Sequence, residues 1–179
     1  MFYNSIYFIL LIVLVVLVIS LSISSFSIAP WIPSRRRDRR RINSLADLKP
    51  GQTFYELGCG DARVSAYIAR KNPDVKVVGI ELALPVYFYA KLRQFLFGPK
   101  NMQIILANVL HQDLSKADVV YTFALIKSIN NSLQEKFVKE LKSGAKILSY
   151  VFSIKNWPGK SETDKPKDKD LPIHVYWMK

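Results

Sequence analysis

The chain has one cysteine, Cys59, two histidines, His111 and His174, and only seven glycines in 179 residues. A lone cysteine excludes an internal disulfide, and a small residue filling a tight loop is the role expected of it. Neither histidine has a cysteine or carboxylate partner at metal-ligand spacing, so no metal site is expected. Acidic residues are scarce too: 14 Asp and Glu stand against 26 Lys and Arg, a net charge of +12. Such charge suits nucleic acid. Yet the chain has no finger, no RNA-binding sheet motif and no interleaved aromatic-basic surface, so nucleic acid is not the expected partner. No internal repeat is present.

What is present is segregated along the chain. Ile6 to Ile28 contains no charged residue and is dominated by Ile, Leu, Val and Phe. A helix of that length would extend about 35 Å, enough to cross a hydrocarbon core. Pro30, Trp31 and Pro33 follow, then Arg35, Arg36, Arg37, Arg39, Arg40 and Arg41. Prolines end helices, tryptophan suits the interface, and arginines suit an anionic cytoplasmic leaflet. A cleaved signal peptide is the rival reading. It is disfavoured because the basic cluster follows the apolar run and the first five residues carry no Lys or Arg. The expectation is a single-pass anchor over residues 6–29, with residues 1–5 outside and the rest at the cytoplasmic side of the cell membrane. Residues 30–50 form a Pro/Arg-rich linker and helix, capped by Ser34 and running to about Ala46 with Ile42 and Leu45 inward. Residues 51–179 form the globular domain.

Within it, Tyr55-Glu56-Leu57-Gly58-Cys59-Gly60-Asp61-Ala62-Arg63 carries the most information. An apolar strand stops at Gly58 and Gly60, and a helical pattern begins at once. A backbone without Cβ atoms lets a ligand approach closely. A second apolar run, Val75 to Ile80, ends in Glu81, at the spacing where nucleotide-binding α/β folds grip ribose hydroxyls. The dinucleotide fingerprint wants glycine where Arg63 stands. Glu56 and Asp61 would repel a pyrophosphate but suit a ligand carrying an amine and a sulfonium. The rival is a purely structural αβ turn, which rarely needs two glycines and two carboxylates together.

The elements alternate as a parallel sheet requires: strands at Thr53–Leu57, Lys76–Glu81, Gln103–Ala107, Ala117–Phe123 and Ala145–Phe152, and helices at Ala62–Lys71, Pro85–Phe97 and about Asn131–Lys142. One last strand is expected at Pro172–Trp177. The stretch 155–170, rich in Lys, Asp, Pro and Gly, reads as a mobile polar loop, which leaves the sheet abbreviated, with helices on both faces.

The glycine turn and Glu81 resemble the first motif and the ribose-binding acid of class I methyltransferases with a Rossmann-like fold, which use S-adenosylmethionine. Further stretches narrow the resemblance: Pro30-Trp31-Ile32-Pro33-Ser34, Lys49-Pro50-Gly51, Gly79-Ile80-Glu81-Leu82, Leu141-Lys142-Ser143-Gly144-Ala145, and Phe152 to Pro158 with its Trp157-Pro158. Together they resemble the small membrane-anchored protein-lysine methyltransferases. These are prokaryotic relatives of the mitochondrial enzymes acting on the adenine nucleotide translocase and the ATP synthase c-subunit. The resemblance implies cofactor binding by Glu56, Gly58, Cys59, Gly60, Asp61, Glu81, Leu82, Asn108 and Val109, with Val109 offering its N–H to the adenine ring. Ala62 departs from a frequent glycine. Asn108 stands where an acid commonly meets the adenine amino group, which implies an uncharged hydrogen bond there.

Methyl transfer needs an aligned, deprotonated nucleophile and a dry site. Aromatic walls desolvate an amine, and Tyr121 and Trp157 are the expected acceptor-positioning residues; ordinary core packing is the competing reading for Phe123 and Phe152. His111 and His174 are not expected to be catalytic. The resemblance implies a lysine of a membrane-associated protein as acceptor. A lipid or small amphipathic acceptor, or a non-catalytic cofactor-binding scaffold, are the alternatives.

Overall fold

A computed structural model describes residues 6–15, 18 and 35–179. Residues 6–15 are helical and exposed. Among the described residues no helix is long and apolar enough to cross a membrane. This corrects the expected transmembrane anchor. The remainder of the run expected over 6–29, with Ser34 and the Pro-Trp-Ile-Pro segment, lies outside the described residues.

From Arg35 onward the chain builds seven strands and helices on two faces. Helix α1 (Arg36–Ala46) leads to β1 (Thr53–Leu57), α2 (Arg63–Lys71), β2 (Lys76–Glu81), α3 (Leu84–Phe97) and β3 (Met102–Leu106). A single 3₁₀ turn, Val109–His111, replaces a helix before β4 (Val119–Thr122). Then come α4 (Ile126–Ser128), a π-helical stretch Ile129–Leu133, α5 (Gln134–Glu140), β5 (Lys146–Tyr150), β6 (Ser161–Asp164) and β7 (Ile173–Trp177). The strand order is β3-β2-β1-β4-β5-β7-β6. The five strands from β3 to β5 run parallel, and β7 is antiparallel to both β5 and β6.

The sheet is therefore complete, not abbreviated. Its edge strand is Ser161–Asp164, inside the stretch expected to be a loop. Ser-Glu-Thr-Asp shows no apolar alternation because an edge strand here faces solvent along most of its length. Its partner β7 supplies the order, with Ser161 opposite Tyr176 and Asp164 opposite Ile173.

Two hydrophobic clusters sandwich the sheet. One joins Ile42 and Ala46 of α1, Ile68 and Ala69 of α2, and Ala90 of α3 to Phe54, Val77 and Tyr121. The other packs Ile129, Leu133 and Phe137 against Leu57, Ile80, Val120 and Ile147. Side chains such as Phe54, Ile68, Ile80 and Phe137 are fully buried, each worth about 1.5–3 kcal/mol of transfer free energy.

Helix α1 is clamped by polar contacts with the far end of the chain. Lys146 Nζ donates to the carbonyls of Leu45 and Ala46, placing a cation at the helix C-terminus. Arg41 Nε donates to Asp164 at 2.7 Å, and its Nη1 donates to the Leu171 carbonyl at 2.9 Å. Fully buried Asp38 accepts from the Tyr150 hydroxyl at 2.6 Å and from Arg41 at 3.0 Å.

Packing is tight behind the glycine turn. A Cβ on Gly79 would stand 2.9 Å from both Cys59 Sγ and Ile104 Cδ1. Gly79→Ala is expected to cost about 1–3 kcal/mol through overpacking, read as a fall in the denaturation midpoint.

Candidate active site

The C-terminal ends of β1, β2, β3, β4 and β5 meet at one edge of the sheet, and the functional residues gather there. Gly58, Gly60 and Ala62 all adopt positive φ, at 73°, 55° and 57°. Both Gly58 N–H and Cys59 N–H donate to the Ile80 carbonyl at 2.9 Å, which pins the turn to β2. Ala62 thus occupies the left-handed region in the place of the frequent glycine, and its methyl is accommodated.

Glu81 is held against this turn. One carboxylate oxygen accepts from Gly60 N–H at 2.8 Å, and the other accepts from Leu82 and Ala83 N–H at 2.9 and 2.8 Å. The strand end and the turn therefore present one fixed carboxylate, as a ribose diol requires. Asn108 caps the 3₁₀ turn after β3, its side-chain oxygen accepting from Leu110 N–H at 3.0 Å, with Val109 buried beside it.

The other two acids of the motif are engaged differently from the sequence reading. Glu56 is buried, and one of its oxygens accepts from the Ser65 N–H at 2.7 Å and hydroxyl at 2.6 Å, fastening the first turn of α2. Burial pushes its carboxyl up to about 8, against the bonds from Ser65 and with help from Asp61 and Glu81. Asp61 is gripped by Arg63 at 2.8 Å and by Arg93 at 2.7 Å. Burial opposes its ionisation, but the Arg63 bonds and the two arginine charges outweigh this and hold it below the usual carboxylate range. The turn is consequently not the doubly acidic lining that the sequence suggests. Arginines on α2 and α3 neutralise half of it.

Because Glu56 keeps a proton in the fold that the unfolded chain releases above about pH 4.5, its contribution to stability falls as pH rises from about 4.5 to about 8. Glu56→Gln retains an acceptor for Ser65 and removes this slope. The variant is expected to exceed the parent in denaturation midpoint above pH 8, with the gap closing toward pH 5.

Two buried polar atoms at this edge of the sheet have no protein hydrogen-bond partner among the described residues: Thr122 Oγ1, at the end of β4 opposite Leu57, and Arg39 Nε. Arg39 lies over the Tyr67 ring and within electrostatic reach of Arg63 and Asp61. These orphaned groups, the fixed Glu81 carboxylate and the side-chain-free turn fit a ligand with a ribose and a carboxylate. Arg39 and Arg63 suit the carboxylate, Glu81 the ribose, and Asn108 with Val109 the adenine. A shallow hollow formed by Pro73–Lys76 and Lys100–Gln103 lies at the opposite end of the strands and has no such groups.

The acceptor side of the rim is aromatic. Tyr121 and Tyr150 are buried with ring centroids 6.5 Å apart. Phe123 meets Tyr150 edge-on at 5.0 Å and stacks on Phe152 at 6.2 Å. Burial, then the bond to Asp38, pushes the Tyr150 hydroxyl up, so it remains a donor. Trp157 is not brought to this group. Its ring packs on Tyr176 at 5.4 Å, and its Nε1 donates to the Trp177 carbonyl at 3.2 Å, at the strand end where Trp177 faces Lys146. His174 contacts Thr163 and the Val151 carbonyl inside the sheet. Sequence reasoning places Thr122 on the rim with Tyr121 and gives Arg39 to the membrane leaflet; it misses Arg93, Tyr150 and Asp38. Only the unusual aspartate within the arginine run, Asp38, carried any signal.

A family model described as the ANTKMT methyltransferase domain matches residues 56–161, more than half of the chain. The chain is 31% identical over 153 residues to a protein-lysine N-methyltransferase of Saccharolobus islandicus (strain REY15A), covering 82% of this chain and 91% of that protein. A phosphoethanolamine N-methyltransferase of Arabidopsis thaliana is 33% identical over 109 residues, 58% of this chain and 22% of its own. Among solved structures, an RNA methyltransferase from Salinibacter ruber in complex with S-adenosyl-L-homocysteine superposes with a TM-score of 0.73 at 23% identity. That match covers 82% of this chain and 94% of that one, a likeness of fold. S-adenosylmethionine is accordingly the cofactor, and the chain belongs to the ANTKMT methyltransferase-domain family of class I methyltransferases.

Proposed function

We propose that this methyltransferase modifies the side-chain amine of lysine on a protein, working at the cytoplasmic surface of a membrane. The observation that carries the acceptor is the ring group Tyr121, Phe123, Tyr150 and Phe152 beside the cofactor turn. Half-buried Phe123 and Phe152 line the rim, and apolar walls favour the uncharged amine over the ammonium. The name of the archaeal relative supports the same acceptor. When bound, S-adenosylmethionine supplies a methyl group on a sulfonium and leaves as the neutral thioether S-adenosylhomocysteine. The protein's part is to hold, align and dry. Glu81 and the glycine turn fix the ribose, Arg39 and Arg63 hold the carboxylate, and the rings strip water from the amine. The lysine gives up its proton to solvent before entering this wall, so no side-chain base is required.

A small amine with an anionic headgroup is a second reading, supported by the likeness to a phosphoethanolamine N-methyltransferase. Incubating the full chain with methyl-labelled cofactor and a membrane-containing lysate separates the two. Label is expected on lysine ε-nitrogen after protein hydrolysis. Label confined to the lipid or small-molecule fraction, or none transferred, overturns the lysine assignment.

A further inference from the structure

Helix α3 (Leu84–Phe97) wears its apolar residues on the outside. Ala90 is its only buried side chain, while Phe88, Leu92, Phe95 and Leu96 lie 60%, 55%, 86% and 54% exposed. Their spacing of four, three and one residues sets them along a single outward stripe. Phe97, 73% exposed, ends the helix half a turn round from Phe88, outside the stripe. A helix on the rim of a globular domain ordinarily turns such residues inward, and a contiguous exposed patch marks an interaction surface.

Charge identifies what the patch meets. Helices α1, α2 and α3 contribute to the same hydrophobic cluster and so lie on one face of the sheet. Together they carry ten Lys and Arg against one Asp, the buried Asp38. Arg36, Arg37, Arg40, Arg70 and Lys71 are exposed on that layer. A second copy pairing through α3 would set these two cationic layers against each other. Nucleic acid would satisfy the arginines but leave phosphates facing Leu92, Phe95 and Leu96. An anionic bilayer satisfies both, with aliphatic and aromatic side chains in the headgroup–acyl boundary and arginines on the lipid phosphates.

We propose that α3 is an interfacial helix whose Phe88–Leu96 stripe sinks into the surface of an anionic membrane, flanked by the arginines of α1 and the Arg70–Lys71 end of α2. The contact needs no spanning segment. It rests on the proposed work at a membrane surface and not on the identity of the acceptor. Since α3 begins directly after Glu81, it would hold the ribose side of the cofactor pocket beside the lipid.

The test uses the full chain with an environment-sensitive fluorophore on Phe95→Cys, and, as a control, on Val138→Cys, an exposed position of α5 packed on the other face. Cys59 is buried and does not compete for label. Vesicles of phosphatidylcholine with phosphatidylglycerol are expected to blue-shift the label at 95 and to quench it when the acyl chains are brominated. Pure phosphatidylcholine should do so weakly, and the label at 138 should not respond. Phe95→Ser with Leu96→Ser should weaken vesicle binding at least about tenfold while leaving S-adenosylmethionine affinity unchanged. A label at 95 that stays in water on lipid-bound protein overturns the proposal. So does a shift that appears without lipid and grows with protein concentration, or one produced by an RNA oligonucleotide in place of vesicles. Methyl transfer is scored separately: lipid contact without lysine methylation would defeat the acceptor reading alone, and the reverse outcome would defeat only this one.

Discussion

Glu81→Ala is expected to weaken S-adenosylmethionine binding by about 30- to 700-fold, or about 2–4 kcal/mol, as read by calorimetric titration. The magnitude follows from what the carboxylate does. It accepts from three backbone N–H groups, of Gly60, Leu82 and Ala83, and so fixes the turn and the first residues beyond β2 relative to each other. Its loss would remove the charged acceptor proposed for two ribose hydroxyls and would also free the backbone it holds at Gly60, Leu82 and Ala83. Glu81→Gln separates these effects, because an amide oxygen still accepts while its NH₂ meets donors on the other side. The glutamine variant should recover part of the fold's rigidity and little of the affinity. Unchanged affinity in both variants would mean the ribose is held elsewhere.

The largest loss of stability should come from Asp38→Ala, about 3–5 kcal/mol. Asp38 is fully buried between the Tyr150 hydroxyl and Arg41. Truncation leaves the hydroxyl of a 2% exposed tyrosine unpaired and takes from Arg41 one of its two carboxylates. Asp38→Asn keeps an acceptor for Tyr150 and should lose less. Because Tyr150 meets Phe123 edge-on, the damage should reach turnover as well as the denaturation midpoint. An alanine variant within about 1 kcal/mol of the parent would show that this buried cluster is not what seats α1.

These two residues differ in how far the sequence discloses them. Glu81 was legible because strand, turn, helix and strand follow one another locally, and the tip of β2 must lie beside the turn after β1. The cofactor half of the site is local in this sense. Arg93, thirty-two residues from the aspartate it neutralises, is not. The doubly acidic turn read from the motif was therefore an incomplete electrostatic picture. Strand β6 escaped notice because its residues bury almost nothing and take their order from β7. Trp157 follows β5 closely enough to suggest the rim. Yet positive φ values at Val151 and Asn156 reverse the chain and carry the indole toward Trp177. Hydropathy of the first thirty residues reports composition alone, and among the described residues no helix is long and apolar enough to cross a membrane.

The seat of α1 has a consequence for how the protein comes into being. Asn72 of the near chain donates to Asn43, but the groups that clamp both ends of this helix, Lys146, Tyr150, Asp164 and the Leu171 carbonyl, lie at least a hundred residues downstream. During synthesis the arginine-rich helix leaves the ribosome long before these distant partners have been made. Contacts of such sequence separation close late and slowly. Through that interval the same arginines that later anchor the fold are free to meet whatever anionic surface is nearest the nascent chain.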